Sequence, residues 1–196
     1  MSHYFIEDPS IKNHEFHIKY RINDVDFDLL SNNGVFSKSS IDKGTYFFLQ
    51  ELVKLPLSNK VLDLGCGYGV VGLTLKVLFP KLDMTMVDIN PSCLNLVRLN
   101  VTKYGIEAKI IESNSYSNLL DHYDYVLLNP PISCGKEIIY NMYRETYVHL
   151  NDNGHFLIVI RKDKGALSHK KYLETLFNKV SILNKDKGYL IIESIK

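Results

Sequence analysis

The sequence predicts an α/β fold: a doubly wound, mostly parallel sheet of about seven strands with one antiparallel strand, preceded by an N-terminal β-hairpin. Three observations point there. From residue 60 onward, short apolar runs alternate with stretches of helical periodicity, as βα units do. The first unit turns on Gly65-Cys66-Gly67-Tyr68-Gly69, a glycine-rich passage from strand to helix. The last two runs, 180–183 and 188–195, lie too close for the crossover of about a dozen residues that a parallel pair requires, so they form an antiparallel hairpin.

Each element has its own signal. Residues 14–31 alternate, with Phe16, Ile18, Tyr20 and Ile22 before Asn23-Asp24 and Val25, Phe27 and Leu29 after it, which predicts a hairpin with one apolar face. Residues 31–44, rich in Ser, Asn and Gly, read as loop, and 45–55 has helical spacing. Residues 60–65 form the first strand of the sheet. A helix follows over about 69–79, stopped by Pro80. The second strand is 82–89, after which Asn90 supplies an N-cap and Pro91 a first helical position for a helix to Tyr104, with Gly105 as its C-cap. Residues 108–112 and 123–128 are the third and fourth strands. A helix over 136–150, a strand at 155–161 and a helix over 165–178 lead to the closing hairpin.

Bulk properties narrow the classes. The 196 residues suit one domain with a three-layer core, and 45% hydrophobic with 23% charged residues are ordinary globular values. A formal net charge of +1 means that any polyanion must be met by local patches rather than by a global field. Cys66, Cys93 and Cys134 show neither paired nor metal-ligand spacing, so a reducing, cytoplasmic setting without disulfides or a metal site is expected. MSHYFIEDPS has no apolar core of a signal peptide, and no apolar stretch approaches the ~18 residues of a membrane span, so neither is expected.

The glycine loop carries the first chemical signal. A dinucleotide fingerprint needs Gly-x-Gly-x-x-Gly, but Gly65, Gly67 and Gly69 are in another register and Val70 stands where the third glycine belongs. A nicotinamide or flavin is thereby disfavoured. Asp63 adds a carboxylate that would repel a pyrophosphate and welcome an ammonium. Asp88 ends the second strand, where an acid can accept from both hydroxyls of a ribose. A ligand with a ribose, no phosphate and a cationic amino-acid tail is S-adenosylmethionine. Each acid also has a plainer reading, Asp63 as an exposed strand-end carboxylate and Asp88 as part of a capping turn with Asn90. Cys66, between two glycines, reads as packing.

With these residues placed, the chain resembles the class I S-adenosylmethionine-dependent methyltransferases, whose fold is Rossmann-like. Within them it resembles the small-subunit ribosomal RNA guanine-amine (N2) methyltransferases and their single-domain relatives. Three segments carry the likeness: GVFSKSSIDKGT (34–45), SNSYSN (113–118) and NPPISCGK (129–136). The resemblance implies one methyltransferase domain over 1–196, with a hairpin and cofactor-covering loop (1–44) ahead of a catalytic core (45–196). It implies S-adenosyl-L-methionine held by Asp63, Gly65, Cys66, Gly67, Gly69, Asp88, Ile89, Asn114, Ser115 and Asn129, with Gly44 and Thr45 from the covering segment. It also implies ribosomal RNA as partner, as naked RNA or within a particle. Ser133 stands where single-domain relatives often carry Arg, and Ile132 where many Asn-Pro-Pro enzymes carry an aromatic ring.

Asn129-Pro130-Pro131 ends the apolar 123–128 run. Prolines end strands everywhere, since neither ring has an N–H to donate. At this crevice they can do more. An aromatic exocyclic amine is a poor nucleophile because its lone pair is delocalised into the ring. The Asn129 side-chain oxygen and the Pro130 carbonyl can each accept one of its N–H groups and aim the lone pair at a methyl donor. Asn129, Pro130, Pro131 and Ile132 are therefore the candidate catalytic segment, with Phe36 either supplying a stacking face or packing in the core. Lys38, Lys43, Lys136 and the run Arg161, Lys162, Lys164, His169, Lys170 and Lys171 are candidates for phosphate contacts, or an ordinary solvated face. Of these, Phe36, Lys38, Lys136, Arg161 and Lys164 form the candidate substrate surface. Two other readings stay open: a methyltransferase for a protein glutamine side-chain amide, and a non-catalytic cofactor- or RNA-binding module. Cys134 as a pyrimidine-attacking nucleophile is set aside, because the Asn-Pro-Pro suits an amine.

Overall fold

The computed structural model describes residues 15–33 and 40–196. Phe36 and Lys38 lie outside the described residues. β1 (Glu15–Ile22) and β2 (Val25–Asn32) pair antiparallel about Asn23-Asp24, whose φ angles of 46° and 61° give the two-residue turn that matches strand twist. Ile18, Tyr20, Ile22, Phe27 and Leu29 make one buried face. α1 (Lys43–Leu52) begins at Asp42, which accepts the Thr45 amide at 2.9 Å, and so starts two residues ahead of the predicted helix.

The core then runs β3 (Lys60–Leu64), α2 (Val70–Leu78), β4 (Asp83–Asp88), α3 (Pro91–Tyr104), β5 (Lys109–Glu112), β6 (Tyr123–Leu128), α4 (Lys136–His149), β7 (Leu150–Arg161), α5 (Ala166–Leu173), β8 (Lys179–Asp186) and β9 (Tyr189–Ile195). The strand order is β5-β4-β3-β6-β7-β9-β8, and β9 is the single reversed strand, antiparallel to both neighbours. Alternate residues serve opposite faces. Val61, Tyr125 and Leu127 pack with α1, α2, α3 and the hairpin, whereas Leu62, Val126 and Leu128 pack with α4 and α5. The order reverses direction between β3 and β6, which opens a crevice at their C-terminal ends.

The hairpin is fastened to the helical layer. Tyr20 Oη and Thr74 Oγ1 are 2.7 Å apart and buried, and Asp28 N donates to Tyr104 Oη at 2.7 Å. Asn100 accepts from Leu30 N at 2.8 Å and donates to Leu30 O at 3.0 Å and Tyr68 O at 3.2 Å, so it couples the hairpin to the glycine loop.

Other boundaries also differ from expectation. α5 stops at Leu173 rather than near 178, because tight turns through 174–177 carry buried Phe177 back to within 5.9 Å of the Phe156 ring. β7 begins at Leu150, where it pairs with Tyr123 ahead of an irregularity in register. Short 3-10 turns at Ile132–Cys134 and Lys162–Lys164 follow β6 and β7.

Candidate active site

The glycine loop is tied down from below and open above. Gly65 and Gly67 have φ of 70° and 55°, and a Cβ at either would meet nothing closer than 4.0 Å. That open space is what a ligand lying against backbone needs. Beneath it, Asp63 is buried with Oδ2 2.8 Å from the Gly72 amide, and burial pushes its carboxyl up to about 7, with the Gly72 bond opposing and Asp88 adding to the rise. Asp88 Oδ2 accepts Gly67 N and Oδ1 accepts Asn90 N, both at 2.9 Å, while Asn90 caps α3 through Ser92 N. Burial raises the Asp88 carboxyl also, against the pull of these amides. Cys66 is buried and its thiol is pushed well above its ordinary value by burial, so it packs as an apolar residue.

A cavity of about 500 Å³ runs from this loop across the sheet end. Gly65 after β3 and Asp88 and Ile89 at the end of β4 line it, flanked by Asn114 and Ser115 after β5 and by Asn129 and Pro131 after β6. Seven sequence-predicted residues thus share one cavity, a size within the range of small-ligand sites. Asp63, Cys66, Gly67 and Gly69 are not among the residues that line the cavity. Gly69 is the N-cap of α2, and a Cβ there would stand 3.3 Å from Val97 Cγ2. The cavity's outer wall was missed: Glu137, Ile138, Asn141, Met142 and Arg144 come from α4. Their spacing is one helix face, and α4 starts five residues after Pro131, so its first turns must stand over the crevice. Ser115, held at φ 53°, donates to α4 as well, to Glu145 Oε2 at 2.5 Å.

Just after β6, Asn129 Nδ2 donates to Thr45 Oγ1 at 3.0 Å, and Thr45 Oγ1 donates to Asp42 Oδ2 at 3.2 Å. Among the described residues the Pro130 carbonyl accepts no hydrogen bond. Pro131 O accepts Cys134 N at 2.9 Å, which rolls the chain into the 3-10 turn and leaves Ile132 half-buried against the α4/α5 core. Gly44 does not reach the cavity. It admits the Tyr189 ring, whose Cε1 would be 2.7 Å from a Cβ there.

The predicted basic run is corrected at one position. His169 is buried, its Nδ1 2.9 Å from Tyr143 Oη, and burial lowers it to about 4, so it is neutral and faces the core. Arg161 forks onto Asp163 at 3.0 and 2.7 Å, and Lys170 pairs with Glu174. Lys162 and Lys164 are exposed with no ion pair among the described residues, and Lys136 arches toward Gly165. Among the described residues, no helix is long and apolar enough to cross a membrane, and no cluster of His, Cys, Asp and Glu could hold a metal.

The strand order, the glycine loop and the acid at the end of the next strand define a class I methyltransferase fold. Residues 26–193 match the methyltransferase small domain family, and the chain belongs to it. It is 36% identical to the uncharacterized protein YbxB of Bacillus subtilis over 197 residues, covering 99% of this chain and 98% of that protein. It is 31% identical to ribosomal RNA small subunit methyltransferase C of Psychromonas ingrahamii, covering 89% of this chain and 50% of that enzyme, so it spans about half that relative's length. The T. thermophilus 16S rRNA N2 G1207 methyltransferase, solved with AdoMet and guanosine, superposes with a TM-score of 0.83 at 21% identity, over 97% of this chain and 53% of that one.

Proposed function

We propose that this chain is an S-adenosylmethionine-dependent N-methyltransferase acting on an aromatic exocyclic amine, and that the amine is guanine N2 in ribosomal RNA. One observation carries the reading. Asn129 stands on the wall of the same cavity as Gly65 and Asp88, with its amide nitrogen already committed to Thr45, so its oxygen is the atom left to accept an N–H. The relatives support RNA as the substrate class: one is a ribosomal RNA methyltransferase by name, and the structural neighbour was solved with guanosine. A single domain working in the cytoplasm fits the reading.

The residues suit the cofactor. The Asp88 carboxylate keeps spare lone pairs for a ribose diol beside Ile89, whose apolar side chain suits an adenine face, and Asn114 offers a carboxamide across the cavity. The backbone of Gly65 and Gly67 leaves room for the amino-acid tail. When bound, the cofactor supplies an electrophilic methyl group on a sulfonium. The protein's part is positioning. Asn129 Oδ1 and the Pro130 carbonyl accept the two N–H groups of the amine and hold its lone pair in line with the methyl group. The rigid Pro130-Pro131 segment keeps both acceptors fixed and offers no competing donor. The methylated nitrogen is acidic, so its proton is lost without a dedicated strong base.

Single-turnover transfer of a labelled methyl group onto in-vitro-transcribed small-subunit ribosomal RNA, with nucleoside mass spectrometry, tests this. Asn129→Ala should slow transfer by about 10²–10³-fold with cofactor affinity nearly intact, and Asn129→Asp should keep more activity because it retains an acceptor. Label appearing on protein glutamine instead of RNA would replace the substrate. Wild-type rates in Asn129→Ala would reduce the Asn-Pro-Pro to a strand end.

A further inference from the structure

We propose that Asp42 and Thr45 are positioning residues that decide which way round Asn129 presents its amide, and thereby restrict the site to nucleophiles that donate N–H. The inference rests on the methyl-transfer reading above and deepens it. A carboxamide is nearly symmetric in shape, yet its two ends have opposite hydrogen-bonding character. With nitrogen facing the cavity, Asn129 would oppose an amine with a donor. With oxygen facing the cavity, it accepts. Something must hold the second orientation, and Asn129 does not do so alone.

The geometry supplies the hold. Thr45 Oγ1 carries one hydrogen and has two neighbours, Asp42 Oδ2 at 3.2 Å and the Asn129 amide at 3.0 Å. A carboxylate only accepts and is a stronger acceptor than an amide oxygen, so the hydroxyl hydrogen goes to Asp42. Thr45 is then left with lone pairs toward Asn129, which can be met only by Nδ2. The amide oxygen must point the other way. Asp42 is itself fixed, because the same Oδ2 accepts the Thr45 backbone amide at 2.9 Å as the N-cap of α1. The chain of orientation therefore runs from a helix cap, through one hydroxyl, to the group that addresses the substrate. Uracil or thymine, which present a carbonyl oxygen where cytosine, adenine or guanine can present an amine, would meet an acceptor with an acceptor and be rejected.

Thr45→Val keeps the shape and removes the hydroxyl, and Thr45→Ser restores the hydroxyl without the methyl group. In methyl transfer to the transcribed ribosomal RNA, Thr45→Val should lower the single-turnover rate by about 3–10-fold, the worth of one hydrogen bond. Thr45→Ser should recover most of that rate. S-adenosylhomocysteine affinity should hold in both, since neither side chain reaches the cavity. A second readout needs no turnover. In ¹H–¹⁵N spectra the Asn129 side-chain NH₂ pair, assigned by its loss in Asn129→Asp, should show one hydrogen-bonded proton in the wild type and in Thr45→Ser but not in Thr45→Val. Unmoved resonances in Thr45→Val, equal rates in Thr45→Val and wild type, an equally slow Thr45→Ser, or a loss of S-adenosylhomocysteine affinity matching the loss of rate would each overturn the proposal. A wild-type protein that methylates no RNA would overturn the activity reading alone, and the amide spectrum would still decide the orientation.

Discussion

The Gly72 amide donates to Asp63 Oδ2 at 2.8 Å across the turn from β3 into α2, so the carboxylate that precedes the glycine loop is a strut beneath it. A buried acid against one backbone amide is under-compensated, and burial pushes its pKa up to about 7 from 3.8. The folded chain therefore keeps a proton that the unfolded chain releases near 4. This stabilises the ligand-free fold below about pH 4 and is lost as pH rises through 7, by on the order of 4 kcal/mol at most. His169 slopes the other way: its folded value of about 4 lies below 6.5, so stability is lost as pH falls through that window. The difference between Asp63→Asn and wild type in denaturation curves from pH 4 to 8 isolates Asp63. The variant should flatten the decline, and parallel curves would show that the carboxyl titrates in the ordinary acid range. If an ammonium binds nearby, S-adenosylhomocysteine binding near pH 6.5 should release a proton, read by calorimetry in buffers of different ionisation heat.

Gly72 has a packing role that its helical position hides. A Cβ there would stand 2.6 Å from Met86 Cγ and 3.1 Å from Asp63 Oδ2. Gly→Ala inside a helix ordinarily gains up to about 1 kcal/mol, but overpacking a closed core costs about 1–3. Gly72→Ala should therefore fail to stabilise and lose about 1 kcal/mol instead, and a smaller residue at Met86 should recover it. A more stable single variant in urea denaturation would show that Met86 moves aside freely.

Asp88 joins loop and ligand. Its two oxygens hold Gly67 N and Asn90 N, so Asp88→Ala removes a ligand acceptor and frees the loop at the same time. Cofactor affinity should fall by about 1–3 kcal/mol. Calorimetric titration giving the wild-type constant would take Asp88 out of the site.

Elements with strong local signals were legible in the sequence. The alternation of residues 14–31, the Asn90-Pro91 start and Gly105 end of α3, and the single reversed strand all followed from period, caps and loop length. So did the meeting of Gly65, Asp88 and Asn129 at one crevice, because strand ends in a doubly wound sheet converge there, whereas Asn114 was expected beside them from the family resemblance alone. Long-range partners were not legible. Nothing near Asn100 announces that it joins Leu30 to Tyr68, and nothing near Thr45 announces Asn129, 84 residues away. Charge runs misled for a similar reason: His169 faces the core because α5 turns it inward to Tyr143, which composition does not encode.

That correction sharpens the last expectation, on RNA binding. Of the cations in 161–171, Arg161 is forked onto Asp163, Lys170 is paired with Glu174 and His169 is buried and neutral. Lys162 and Lys164 are exposed in the 3-10 turn after β7, which follows the strand beside β6. With a net charge of only +1, the chain has no global field to draw RNA in, so these side chains should carry a measurable share of any phosphate binding. Removing one phosphate-bound cation should make the plot of log affinity against log salt shallower by roughly 0.7 on single-stranded RNA, so replacing both lysines with Ala should flatten it by about 1.4. Lys170→Ala is the matched control: it removes one charge too, but one already neutralised by Glu174, and should leave the slope nearly unchanged. Equal slopes for the double variant and wild type in fluorescence anisotropy titrations from low to physiological salt would return Lys162 and Lys164 to the solvated surface and move the RNA track away from this turn.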